Sequence, residues 1–170
     1  QRIEGPRTLP ERIRALMQEA RWALLGFVTL IAVLALGGYN ATDPAWSHAG
    51  RGFQTTNPMG RFGAWISDLL FYLFGGAAWL WALLPLVLIL IGWGARQRAL
   101  REAVDVEPRP LWLTLSGFLA LLLWLSAFAA LRFHTSGADL PMGAGGVIGD
   151  GLATLIGQAF GVTGATLIVG

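Results

Sequence analysis

Long stretches without a charged side chain divide this sequence. The uncharged stretches cover residues 22–42, 69–95, 110–131 and 151–170. A helix that rises about 1.5 Å per residue needs roughly 20 apolar residues to cross a hydrocarbon layer about 30 Å thick, so each stretch can span a membrane. The alternating pattern of a membrane β-barrel is absent, so we predict an all-α membrane protein, a four-transmembrane-helix bundle. The spans are expected at about 22–40, 67–94, 111–131 and 150–170.

A short amphipathic helix is predicted immediately before the first span. Apolar residues recur there at the i, i+3, i+4 and i+7 spacing of one helix face: Ile13, Leu16, Met17 and Ala20. Residues 1–21 are therefore predicted to form an amphipathic N-terminal segment, and residues 22–170 the four-span membrane domain. Two structured loops, at about 43–68 and 135–150, are expected on the far side of the membrane.

Composition agrees with lipid surroundings and excludes several kinds of site. Hydrophobic residues make up 55% of the chain, charged residues only 13%, and the mean hydropathy is +0.59. The chain has no cysteine and two histidines, which leaves no disulfide, thiolate metal site or imidazole cluster. It also has no lysine, so the Gly-Lys-Ser/Thr phosphate loop of a nucleotidase cannot form. We predict no catalytic, metal or cofactor site in this chain.

The distribution of arginine predicts the orientation in the membrane. All twelve basic residues are arginine; nine lie before span one or between spans two and three, and three lie on the opposite side. The positive-inside rule therefore places the N-terminus in the cytoplasm. The arginines are spread along the chain rather than gathered in one stripe, so no direct DNA binding is expected.

The loop between spans one and two is rich in residues that shape a backbone. Asp43 and Pro44 are typical of a helix or turn start, with the aspartate as the cap and the proline in the first helical position. Trp46 is suited to the membrane interface. Asp68 begins span two, where a carboxylate favours a helix N-terminus and reaches the lipid headgroups. This interpretation outweighs ion coupling by an acid within the membrane.

Small residues and one proline mark candidate contacts and bends in the helices. Gly75 and Gly76 give span two a small surface, and Gly157 and Gly161 form a GxxxG motif on span four, where two backbones can approach closely. Packing within the chain is favoured, although packing between subunits stays open. Pro85 removes one helix hydrogen bond and predicts a kink in span two.

The fourth span differs from the others at its end. It is rich in glycine and stops at Gly170 without a polar or basic flank. We therefore expect span four to be truncated and the polypeptide to continue into the cytoplasm.

Taken in order, these features resemble the N-terminal four-helix membrane domain of FtsK-type bacterial DNA translocases, over nearly the whole chain. The motifs are Asp43-Pro44-Ala45-Trp46-Ser47 after span one, Asn57, Gly60, Gly63-Ala64-Trp65 and Asp68 before span two, Phe74-Gly75, and Gly145-Gly146-Val147-Ile148-Gly149 before span four. The candidate loop-structuring or partner-contact residues are Asp43, Pro44, Trp46, Asn57, Gly60, Gly63, Trp65 and Asp68. The candidate helix-packing residues are Gly75, Gly76, Gly146, Gly149, Gly157 and Gly161.

The resemblance implies a role for the part of the protein present here. In that family the membrane domain is joined to a cytoplasmic RecA-like motor, which assembles as a hexamer and pumps double-stranded DNA during chromosome segregation. The motor is absent from this chain, so ATP and Mg²⁺ are implied only for the missing part. The membrane domain is implied to lie in the inner membrane at the division septum, to contact other division proteins and to join a homo-oligomer.

A small transporter or channel subunit is the main alternative, because four spans with glycine seams can surround a pore. The spans carry no charged group at mid-membrane, which disfavours it. An intramembrane serine protease is disfavoured further. Ser116 and Ser126 are separated by about 15 Å along one helix, and His134 lies beyond that span.

Overall fold

A computed structural model describes residues 9–50, 54–102, 110–133 and 140–169. These residues form helices and contain no strand, which confirms the all-α prediction. The elements are α1 (Leu9–Gly37), α2 (Gly60–Phe74), a 3₁₀ helix (Gly75–Trp79), α3 (Leu80–Glu102), α4 (Leu111–Arg132) and α5 (Gly146–Val169).

Three helical segments among the described residues are long and apolar enough to cross a membrane. They are Leu16–Gly37, Gly60–Arg98 and Leu111–Arg132. The second segment comprises α2, the 3₁₀ helix and most of α3. The apolar helix α5 is the counterpart of the predicted fourth span.

Helix α1 joins two predicted elements into one. It runs from Leu9 to Gly37 without interruption, so the predicted amphipathic segment and span one are continuous where the structure describes them. The helix ends in a glycine pair, where the backbone N–H of Gly38 still donates to Leu34 at 3.0 Å. The chain then enters the first loop, residues 38–59.

The predicted second span is two helices rather than one. Helix α2 stops at Gly75, whose φ of 54° and ψ of −139° cannot continue a helix, and α3 starts five residues later, at Leu80, beyond the 3₁₀ helix. Pro85 lies buried inside α3, whose bounds extend past it on both sides. The kink expected at Pro85 stays a prediction, whereas the backbone breaks ten residues earlier.

The long helices pack as two pairs, and α2 with the 3₁₀ helix connects the two pairs. Helix α1 lies along α3, and α4 lies along α5, while α2 and the 3₁₀ helix contact members of both pairs. The core between these elements contains Leu36, Phe71, Ala78 and Ala82. Small alanines at the centre let the 3₁₀ helix approach α1 closely. The ring of Tyr39 packs edge-on against Phe71, with centroids 5.0 Å apart.

Close approach between α4 and α5 depends on Gly149. A Cβ atom at this position would collide with the backbone carbonyl of Ser126. Ser126 itself is fully buried, and its hydroxyl donates to the carbonyl of Phe74 at 3.3 Å. The predicted packing residue Gly149 thus lies where α4, α5 and the end of α2 converge.

Exchanging Gly149 for alanine should therefore loosen this contact. We expect Gly149→Ala to destabilise the domain by about 1–3 kcal/mol, because the new methyl group displaces a backbone. Gly157→Ala on the same helix is the matched control, since nothing lies within 4 Å of its Cβ position. The control should be neutral or stabilising by up to about 1 kcal/mol. Unfolding in mixed micelles, followed by circular dichroism, compares the two; equal effects would contradict this account of the contact.

The GxxxG motif is not used for contacts among the described residues. No atom lies within 4 Å of a Cβ built on either Gly157 or Gly161. Gly161 instead interrupts α5, with φ of 68° and ψ of 169°. Within the described part of the chain, these two glycines therefore do not lie against another element.

Candidate functional site

Asp43 is the centre of a buried polar network in the first loop. Only 1% of its surface is exposed. One carboxylate oxygen accepts hydrogen bonds from the Thr56 backbone N–H at 2.9 Å and hydroxyl at 3.0 Å, and the other accepts the Asn57 N–H at 3.0 Å. Of the two predicted alternatives, a helix or a turn starting at Asp43–Pro44, the helix is not formed, because the described residues after Pro44 have bent or irregular backbone. The aspartate caps the backbone thirteen residues further along the chain instead.

Asn57 extends the network to the end of α1 and the start of α2. Its side-chain amide donates to the Ala35 carbonyl at 2.8 Å, and its side-chain oxygen accepts the Met59 N–H at 2.9 Å. Its backbone carbonyl accepts the N–H of Gly60, the first residue of α2, at 2.8 Å. Gly63 lies against the Asn57 amide, where a Cβ atom would collide with the side-chain oxygen. Three predicted loop residues are thus in contact.

Asp68 is the centre of a second buried cluster of hydrogen bonds. It is fully buried within α2 and accepts hydrogen bonds from the Ser47 N–H at 2.6 Å and the Ser47 hydroxyl at 3.0 Å. The expectation that this carboxylate reaches the lipid headgroups is therefore wrong. Burial of the charge is compensated by donors from the loop, which satisfy it as a cap satisfies a helix end.

His48 contacts the same serine. Its Nδ1 atom lies 2.9 Å from the Ser47 hydroxyl oxygen and 3.7 Å from Asp68. The Ser47 hydroxyl therefore lies between a carboxylate and an imidazole nitrogen, and the tautomer of His48 sets which atom donates in the Ser47–His48 contact. Among the described residues no group of three or more His, Cys, Asp or Glu could hold a metal ion.

Aromatic and proline residues complete the first loop. Trp46 packs edge-on against Tyr72 of α2, with ring centroids 4.9 Å apart, while 43% of its surface stays exposed. Pro44 lies so close to Gly50 that a Cβ there would collide with the proline backbone. Trp65 lies apart from this network, on the exposed side of α2.

The second loop, described over residues 140–145, is joined to the end of α2 by glycines. The N–H of Gly76 donates to the Ala144 carbonyl at 2.8 Å. Gly75 and Gly146 have φ of 54° and 63°. A Cβ on Gly75 would collide with the Ala144 carbonyl, and one on Gly146 would lie 2.6 Å from the Leu73 carbonyl oxygen. Only glycine allows this backbone contact.

A groove of about 410 Å³ lies between the two loops. We call the end of the bundle that carries both loops the loop side. Among the described residues, the lining of the groove contains no Asp, Glu, Lys or Arg; it consists of Tyr39, Ala41, Ser47, His48, Tyr72, Leu140, Pro141 and Met142. Of these, only Ser47 belongs to a motif singled out in the sequence. The lining comes from three parts of the chain, residues 39–48, Tyr72 and residues 140–142, so no local pattern could have grouped them.

The apolar spans and the polar network together define an all-helical integral membrane domain with loops held rigidly at one end. Residues 14–170 match the family described as the 4TM region of DNA translocase FtsK/SpoIIIE, and the chain belongs to this family.

Relatives with this region are larger proteins. The chain is 39% identical to DNA translocase FtsK 2 of Ralstonia nicotianae over 96% of its length, but covers 21% of that protein. It is 34% identical to DNA translocase FtsK of Pseudomonas aeruginosa, covering 93% of the chain and 19% of the relative. The corresponding protein of Shewanella oneidensis is 33% identical over 81% of the chain, which covers 14% of it. The chain thus spans about a fifth or less of these relatives, and no solved structure matches it.

Proposed function

We propose that this chain is the membrane anchor and septal scaffold of a DNA translocase that acts in cell division and chromosome segregation. Its support is the family membership and the small share of each relative that the chain covers. The ATP- and Mg²⁺-dependent motor would belong to the remainder of the polypeptide, because this chain lacks the lysine of a phosphate loop. A full gene product without a GxxxxGK[ST] motif would contradict the translocase assignment.

The proposed orientation places the N-terminus in the cytoplasm and the loop side outside the inner membrane. The arginine distribution, nine against three, supports it. The charge-poor groove then faces the compartment in which the outer parts of other division proteins lie.

One observation carries the scaffold role: hydrogen bonds fix both loops at the same end of the bundle. Buried Asp43 and Asp68 accept backbone N–H groups of the first loop, and the backbone N–H of Gly76 donates to the Ala144 carbonyl of the second. Such rigidity lowers the entropy lost when a partner docks. We propose the groove between the loops as the surface that contacts a division protein.

Variants that fill the groove test this surface. Ala41→Arg and Met142→Arg each place a long charged side chain on an exposed groove residue. In the full-length protein with a fluorescent tag, both variants should insert normally into the membrane. They should lose most of the fluorescence at the septum and give elongated cells, because an unpaired charge blocks a neutral interface.

Gln54→Arg is the matched control for charge. Gln54 is exposed in the first loop but does not line the groove. It should keep wild-type septal localisation and cell length. Normal localisation and division in both groove variants would sink the proposed contact surface, while leaving the membrane-anchor role intact.

A further inference from the structure

Helix α2 has its polar residues on the buried face and its large apolar residues on the exposed face. Its buried face carries mostly small or polar residues: Gly63, Ala64, Ser67, Asp68 and Phe71. Its exposed face carries large apolar ones, with Phe62 at 63% and Trp65 at 48% exposure. A helix at a water-facing protein surface shows the opposite arrangement, with charged residues outward and apolar residues inward.

The outward surface of α2 has a single charge, at its beginning. Arg61 is exposed, and no residue from Phe62 to Phe74 presents an exposed charge or amide. The one acid of the helix, Asp68, is fully buried and bound to Ser47. The polar groups of α2 after Arg61 therefore face the protein interior and not the surroundings of the helix.

Length shows that α2 is not needed to cross the membrane. The apolar segment Gly60–Arg98 has 39 residues, and a straight helix of that size would measure about 58 Å against a hydrocarbon thickness of about 30 Å. The 3₁₀ helix and the uncharged part of α3 together comprise residues 75–95, and these 21 residues are long enough to cross without α2. The break at Gly75 frees α2 to take another course.

We propose that α2 lies in the bilayer leaflet of the loop side, with Phe62 and Trp65 against lipid and Arg61 at the headgroups. The partner of this face is thus the membrane itself, continuous with the lipid-exposed surfaces of the spans. Two further exposed tryptophans flank α2 in the chain, Trp46 at 43% and Trp79 at 41%. Tryptophan is enriched at membrane interfaces, where its ring meets both lipid and water.

This placement explains why Asp68 needs hydrogen-bond donors from the first loop. A carboxylate near the lipid layer cannot be left without donors, because hydrogen bonds to water are lost there. Asp68 is satisfied by the backbone and hydroxyl of Ser47 from the loop above it. The first loop thereby shields the polar side of α2 while its apolar side meets lipid.

Site-directed spin labelling tests the proposal, since the chain has no cysteine of its own. Phe62→Cys and Trp65→Cys, each with a nitroxide, are reconstituted in vesicles of phosphatidylethanolamine and phosphatidylglycerol. Collisions with oxygen report lipid, and collisions with a water-soluble nickel chelate report solvent. Arg61→Cys and Gln54→Cys are controls on the same helix start and on the first loop.

We expect an oxygen-to-nickel collision ratio several-fold higher at both apolar positions than at Gln54, with Arg61 close to Gln54. Ratios at positions 62 and 65 equal to that at Gln54 would place the face in water and overturn the proposal. Low collision rates with both reagents would show that protein covers the face, which overturns it equally. Both target side chains lie on the exposed side of α2, outside its buried face.

Discussion

Of the single substitutions in the first loop, Asp43→Ala should lower the unfolding temperature of the loop side most. The alanine would leave the buried N–H of Asn57, and the N–H and hydroxyl of Thr56, without their acceptor. An orphaned buried donor costs about 1–3 kcal/mol, so a loss of roughly 2–5 kcal/mol is expected. Thermal unfolding in detergent, followed by tryptophan fluorescence, measures it.

Two further variants distinguish the loss of hydrogen-bond acceptors from the loss of a negative charge. Asp43→Asn keeps one acceptor oxygen and should lie between wild type and alanine. Asp150→Ala removes an exposed acid from α5 and should change stability by less than about 0.5 kcal/mol. If Asp43→Ala were no more destabilising than Asp150→Ala, the network would not hold the loop.

Gly146→Ala is expected to separate the second loop from the end of α2. Its backbone has φ of 63°, and the new methyl group would press on the amide of Gly75 and the carbonyl of Leu73. Both partners are backbone, so neither can rotate away. Strain of about 1–2 kcal/mol adds to overpacking of about 1–3 kcal/mol.

Gly143→Ala measures the cost of backbone strain at a positive φ without a close backbone contact. Gly143 has φ of 74°, but nothing lies within 4 Å of its Cβ position. This variant should lose only the strain, so the difference between the two unfolding free energies measures the backbone contact. Stabilities that agree within error would mean that the close approach contributes nothing.

Much of the fold could be predicted because lipid simplifies the physical problem. Uncharged runs of about twenty residues have one stable solution in a membrane, a helix with its backbone groups paired internally. The all-α class and family followed from those runs and from short motifs such as Asp43-Pro44 and Gly75. Three of the residues singled out from the sequence, Asp43, Asn57 and Asp68, are buried and hydrogen-bonded in the structure, whereas their role in partner contact stays a prediction.

The partners of these residues could not be predicted. Asp68 was expected near headgroups because it begins an uncharged run, but the structure pairs it with Ser47, 21 residues earlier. Asp43 was expected to cap the next residues, yet it caps Thr56. A capping pattern describes only neighbours in the chain, whereas either acceptor can satisfy any donor that folding brings within reach.

The uncharged stretches are enough to identify an all-helical membrane domain, because each is long enough to span a bilayer as a helix. The choice of two helices, α2 and α3, instead of one, with the polar face of α2 inward, arises only in the folded chain. That choice depends on Gly75 and Gly146, which allow two backbones to touch where any side chain would hold them apart. It also depends on loop donors that satisfy Asp68, and their proximity arises only when distant segments pack together.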